Sequence, residues 1–139
     1  MAVYGIGSTY GGQDEMMHDF VTRGLACIGW SFEDAPAYIS QLREMTPGDV
    51  VFLKSFPVSH GLYIKAVGLV CDAQKVEDKD LGEGRHILWV WAAENKDSYV
   101  RLGRMDDKYD QMRGGTIYRE FNPEVITTLM GIIRGGTSK

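Results

Sequence analysis

Short apolar runs, each cut off by glycine or turn residues, dominate the chain. Ala2–Ile6 is the first and ends in a glycine-rich turn. Leu25–Trp30 (LACIGW) is the second, bounded by Gly24 and Ser31. Thr46-Pro47-Gly48-Asp49 reads as a turn, because proline presets its backbone angle and glycine tolerates a positive one. It feeds Val50–Ser55 (VVFLKS), whose β-branched and aromatic residues favour a strand. Leu62–Cys71 (LYIKAVGLVC) follows, and Gly68 inside it marks a bulge or tight bend. His86–Ala92 (HILWVWA) reads as a strand in which Trp89 and Trp91 share a face, the side-chain period being two. Tyr99–Leu102 and Thr116–Phe121 are shorter strand candidates.

Three segments carry a helical period instead. Asp14–Arg23 spaces Met16, Met17, Phe20 and Val21 along one side and stops at Gly24. Ala35–Glu44 aligns Ile39 and Leu42, with Asp34 as N-cap and Pro36 in the first turn. Asn122–Arg134 has Asn122 as cap, Pro123 at the first helical position and a stripe of Val125, Ile126, Leu129, Ile132 and Ile133; Gly135 and Gly136 end it. Gln74–Gly84 is polar and charged and reads as a solvated loop. No repeat or linker divides the chain, so residues 1–139 form a single domain. The elements predict an α+β fold, a small, largely antiparallel β-barrel flanked by two or three helices. Leu53, Ile64, Val67, Val70, Leu88 and Ile126 are its expected core.

The composition removes several function classes. With 44% hydrophobic and 24% charged residues, the chain has the make-up of a globular domain rather than a disordered or fibrous one. No run approaches the ~18 apolar residues of a membrane helix. The start MAVYGIGSTYGG lacks a basic region followed by an apolar stretch, so a cytoplasmic protein without membrane partners is expected. Cys27 and Cys71 sit in apolar runs and read as free buried thiols. His18, His60 and His86 are too scattered for a zinc site, and no metal or cofactor is expected. The net charge is −4, divided as −6 over residues 1–100 and +2 over residues 101–139. That balance disfavours an extended basic groove for long nucleic acid but leaves room for a local anion site.

Candidate chemistry lies where elements end. Gly5-Ile6-Gly7-Ser8-Thr9-Tyr10-Gly11-Gly12 follows a strand and precedes a helix, so its backbone N–H groups could face an anion, with Ser8 and Tyr10 adding hydroxyls. No Gly-Lys-Ser/Thr closes it as a Walker loop. Tyr10, Trp30, Phe32, Phe56 and Tyr109 fall at the ends of elements, and a ring at the end of a strand offers a platform for a flat base. Lys54 and Lys65 interrupt apolar strands and are expected to point outward, yet Lys54, Ser55 and Phe56 also make a compact donor, hydroxyl and ring. Arg113, beside two glycines, could grip a carboxylate or phosphate, or pair with the aspartates before it. Enzyme signatures are weak. No G-x-S-x-G occurs. Asp49 with Glu77-Asp78-Lys79 has a metal nuclease's residue types but places them in a polar loop.

The succession GIGSTY, ACIGW, MTPGDVVFLKS, LYIKAVGLV and a W-x-W strand resembles the PUA-like superfamily, in its EVE and YTH-related branch, over roughly residues 3–92. The resemblance implies a five- or six-stranded barrel that holds one base of RNA, or a modified base, in an aromatic-walled pocket. It implies a pocket drawn from Ser8, Tyr10, Trp30, Lys54, Ser55 and Phe56. The YTH branch uses several tryptophans, whereas only Trp30 stands at a cage position here. The reading is therefore a non-enzymatic binder of a nucleobase or nucleotide, either a modified base in nucleic acid or a free, cyclic or signalling nucleotide. Ser8, Tyr10, Trp30, Lys54, Ser55, Phe56 and Arg113 are its site. A small defence or counter-defence protein that senses or sequesters a nucleotide would fit. The alternatives are a metal-dependent nuclease and an interaction module, or homo-oligomer, built on the C-terminal helix.

Overall fold

The computed structural model describes residues 1–57 and 59–135, so Gly136 of the expected helix stop lies outside the described residues. The chain begins with β1 (Val3–Gly7) and a hairpin of β2 (Thr9–Tyr10) and β3 (Asp14–Glu15). Then come α1 (Met17–Arg23), β4 (Leu25–Ile28), α2 (Pro36–Glu44), β5 (Val50–Ser55) and β6 (Leu62–Val70). β7 (Val76–Asp78), β8 (Gly82–Ala92), β9 (Val100–Gly103), α3 (Asp110–Arg113), β10 (Ile117–Arg119) and α4 (Pro123–Ile133) complete it. The main sheet runs β10-β1-β5-β6-β8-β4, with β9 beside β6 and β7 beside β8. Every pairing is antiparallel except that of β1 with β5. The fold is α+β, and the curled sheet makes a half-barrel.

The unbroken apolar run of β5 has a direct cause: both faces of the sheet are covered. Val51 and Leu53 join Tyr4 and Ile6 in a core closed by Phe20 of α1 and by Ile39 and Leu42 of α2. Val50 and Phe52 join Val3 and Tyr118 in a second core closed by Val125, Leu129 and Ile132 of α4. Gly5 lies where the second core is tightest. A Cβ there would sit 2.5 Å from the Tyr118 ring and 2.9 Å from Phe52, so only glycine fits. Asn122 caps α4 as its sequence implies, accepting from the backbone N–H groups of Glu124 and Val125.

Several expectations change. Gly68 does mark a register slip, but the slip also separates the tryptophans. Val67 pairs with Trp91 and Gly68 with Trp89, so Val90 is left over and the alternation breaks. Trp89 packs against the first core and Trp91 against the second. Leu88 is 57% exposed rather than core, and Ile126 is only partly buried. The Gln74–Gly84 stretch contains β7 and the start of β8, because backbone pairing needs no apolar side chains. Helix α1 starts at Met17, since Asp14 and Glu15 pair back onto Tyr10 and Thr9 through a turn with Gly11 and Gly12 at positive φ. Helix α2 is capped at Ala35 without a side-chain bond, so Asp34 does not cap it. Cys27 is buried but Cys71 is exposed.

Leu129 and Leu88 have similar side chains in opposite settings. Leu129→Ala should cost about 2–5 kcal/mol, the usual range for a buried leucine. Leu88→Ala should cost less than about 0.5 kcal/mol. Urea unfolding of both variants measures the difference, and a loss below about 0.5 kcal/mol for Leu129→Ala would show that α4 stands outside the cooperative core.

Candidate functional site

Strands β1 and β5 run parallel, so they leave the sheet at the same end, with Gly7 opposite Lys54. Strand β10 enters at that end, since Ile117 pairs with Ile6. The three chain ends diverge there and open a cleft of about 830 Å³, within the range of small-molecule sites. Tyr10, Trp30, Lys54, Ser55 and Phe56 line it, together with Gly114, Gly115 and Thr116. Among the described residues, no carboxylate, imidazole or thiol lines it.

Trp30 is 50% exposed. Its indole N–H donates to the Thr116 hydroxyl at 3.0 Å, which fixes the ring by one edge and leaves a face open. The Tyr10 hydroxyl donates to the Leu81 carbonyl at 2.6 Å, and its ring meets Phe20 edge to face. Burial raises the Tyr10 phenol's pKa well above its ordinary value. Tyr10 therefore offers the cleft its ring, not its hydroxyl.

Lys54 and Lys65, both expected to point outward, are 6% and 0% exposed. Their strands are covered on both faces, so neither has an outward face to use. Lys65 falls at a register shift where Leu53 pairs with Ala66 and Lys54 with Ile64, and its ammonium reaches Glu15 at 2.6 Å. Ser8 is also fully buried and donates to the same carboxylate at 2.5 Å. Burial would raise the Glu15 pKa, but the bonds from Lys65 and Ser8 outweigh it and hold the carboxyl below its ordinary value. Ser8 is thus a clamp for the β2–β3 hairpin, and it does not line the cleft.

Lys54 is treated differently. Its ammonium donates to the Gly115 carbonyl at 2.5 Å and lies 5.9 Å from the centre of the Tyr118 ring. No carboxylate among the described residues pairs with it. Burial first, and then the neighbouring charge of Lys65, pull its pKa down to about 8.

Arg113 is not in the cleft. It is 0% exposed. Its guanidinium donates to Asp107 at 2.7 and 3.0 Å, to Asp110 at 2.8 Å and to Glu120 at 2.6 and 3.0 Å. All its donors are used, and a ligand anion would have to displace a buried carboxylate. Tyr118 donates to Glu120, and the Asn122 amide to Asp107. Arg113 instead ties together the segment that carries Gly114, Gly115 and Thr116 to the cleft wall. Its guanidinium holds the Asp107 carboxyl far below the ordinary range.

The nuclease constellation is dispersed. Asp49 accepts from the Ala2 N–H at 3.0 Å and from the Thr46 N–H at 2.9 Å, as a turn brace. Asp78 pairs with Arg23 and Glu77 with Lys75. No model of a known protein family matches the chain, and no curated protein sequence matches it.

Gly115 and Thr116 are the site residues that the sequence left unassigned. The glycine pair beside Arg113 is the signal in the sequence that points to them. Because the Lys54 pKa is lower folded than unfolded, the unfolded chain binds its proton more tightly. Its contribution to stability is therefore least favourable below pH 8 and improves between pH 8 and 10.5, the ordinary lysine value. Lys54→Met should melt no lower than the parent at pH 7, with its relative advantage shrinking across that window. Melting curves at a series of pH values test this; a variant that melts far lower at pH 7 would show that the ammonium is a net stabiliser.

Proposed function

We propose that the chain is a non-enzymatic binder of a nucleobase or nucleotide, with a PUA-like mode of holding one base in an aromatic-walled cleft. The observation that carries this reading is the pairing, in one cleft, of an open Trp30 face with the buried, carboxylate-free Lys54. The first suits a flat heterocycle and the second an anion or an oxo group. Phe56 supplies a further ring, and Ser55 a hydroxyl, to the same lining. Gly11, Gly12, Gly29, Gly114 and Gly115 line the rest, so a planar ligand can approach bare backbone. A lining with one amine and no carboxylate or imidazole lacks the acid–base pair that hydrolysis of a bound nucleotide would use. The net charge of −4 favours a free ligand over a long strand with many phosphates.

Trp30→Ala should weaken binding by about 1–3 kcal/mol, the value of one stacked base. Its melting temperature should move less, because Trp30 is already half exposed to water. Titration calorimetry with a panel of nucleosides, cyclic nucleotides and nucleoside monophosphates, repeated on Trp30→Ala and Trp30→Phe, measures this. Binding kept by phenylalanine and lost by alanine supports the stacked base. No heat with any member of the panel, or equal affinity in both variants, overturns the reading.

A further inference from the structure

We propose that Lys54 is an amine nucleophile that captures a small planar aldehyde or ketone in the cleft as an imine. The inference rests on the geometry around its nitrogen and holds whether or not the cleft takes a nucleotide.

A lysine becomes nucleophilic when its neutral form is favoured and its nitrogen can be reached. Both conditions meet at Lys54. Its residue is 6% exposed, yet it belongs to the lining of a cleft of about 830 Å³. Its charged form has no carboxylate partner among the described residues and is met only by a carbonyl oxygen and the face of a ring. From β5's own partner strand, Lys65 presents a second buried cation. From β10, Tyr118 presents a ring whose hydroxyl is already committed to Glu120. From β1, Gly7 presents no side chain; a Cβ there would lie 3.8 Å from the nitrogen. From the segment before β10, Gly115 presents a carbonyl oxygen, to which the neutral amine can still donate, more weakly than the ammonium does. Glu15, the carboxylate that serves Lys65, is bound to Lys65, Ser8 and the Met17 N–H and makes no ion pair with Lys54.

Contrast with the other buried cations sharpens the point. Arg113 has carboxylates on every donor, and Lys65 has Glu15. Arg85 is held by the Leu42 and Asp72 carbonyls but lies outside the cleft lining. Lys54 alone of these combines the lack of a carboxylate with a place on the cleft wall. The lowering of its pKa to about 8 is the thermodynamic face of the same arrangement.

The reaction balances without any further reagent. The neutral amine's lone pair attacks the carbonyl carbon as the C=O π bond breaks onto oxygen, and one nitrogen proton passes through solvent to that oxygen to give a carbinolamine. The C–O bond then breaks as the C=N bond forms, and the hydroxyl leaves as water with the second nitrogen proton. The water departs into the open cleft, and the imine is reversible by the same path. A flat carbonyl compound would lie against Trp30 with its reactive carbon toward the amine, and the glycines of the rim leave room for the plane of the ring.

Pyridoxal, a flat aromatic aldehyde, is the probe. The intact chain is incubated with it at pH 7.5, reduced with borohydride so that each imine becomes a stable amine, and digested for mass mapping. Lys54 should be labelled to near stoichiometry at probe concentrations that leave the exposed Lys75, Lys79, Lys96 and Lys108 about ten-fold or more less modified. Its labelling rate should climb with pH and level off above about 8, whereas an ordinary lysine keeps climbing to about 10.4. Lys54→Arg, which keeps the positive charge but cannot form an imine, should abolish the selective adduct while the exposed lysines label as before. The variant's melting curve and far-ultraviolet circular dichroism establish that it is folded. Labelling of Lys54 no faster than that of the exposed lysines, or a rate that climbs through pH 10 without a plateau, overturns the proposal.

Discussion

Strand β5 sits between β1 and β6 with apolar cover on both faces, and the rest of the molecule is arranged around that constraint. A strand covered on both sides cannot place any side chain in water until it leaves the sheet. Val50 to Leu53 meet this demand with hydrocarbon. Lys54 is the first residue that does not, and its aliphatic stem carries an amine to the edge of the covered region. The cleft begins where the cover stops. It opens beside β1 and β5 because those two strands are parallel and end together, so that neither continues to shield the other's last residue.

The remaining buried charges show how the protein manages such burdens elsewhere. Isolated ions are costly to bury, and the cost is offset only by well-aligned partners. Arg113 gathers Asp107, Asp110 and Glu120, and thereby joins the loop before α3, the strand β10 and the cap of α4 into one unit. Lys65 gathers Glu15 and, through it, fixes the β2–β3 hairpin on the opposite rim. The two networks hold the two walls of the cleft. Between them Lys54 has only the Gly115 carbonyl, so the rigid walls frame a group left chemically unspent.

Much of the fold was legible because it depends on local patterns. The bounds of β5 follow from its apolar, β-branched run after a Pro-Gly turn, and α4 follows from an Asn-Pro start and a helical stripe. Gly68 was legible as a bend because a glycine inside an apolar strand signals a bulge; the register slips there, and a Cβ would meet Ile87 at 2.6 Å. Tyr10, Trp30 and Phe56 were legible as rings at element ends, but only the resemblance to the PUA-like superfamily grouped them with Lys54 and Ser55, and those five residues line one cleft. The placement of Ser8 in the interior was not legible. A serine after a glycine-rich strand looks like a loop hydroxyl, and its partner Glu15 becomes a neighbour only when the hairpin folds back.

Sequence alone therefore determined most of the element types and their approximate bounds, since side-chain period and turn chemistry are written within a few residues. Tertiary structure decided burial and partnership. Whether an arginine beside two glycines faces a ligand or disappears into three carboxylates depends on Glu120, seven residues further on and across a turn. Whether Trp89 and Trp91 share a face depends on one unpaired valine, because a single bulge reverses every side chain beyond it. Whether Lys54 faces water or the interior depends on α4 and β10, which arrive from the other end of the chain to cover the second face of its strand. Charge is a property of a residue, but the state of a charge is set by what surrounds it, and those surroundings are assembled only when distant segments meet.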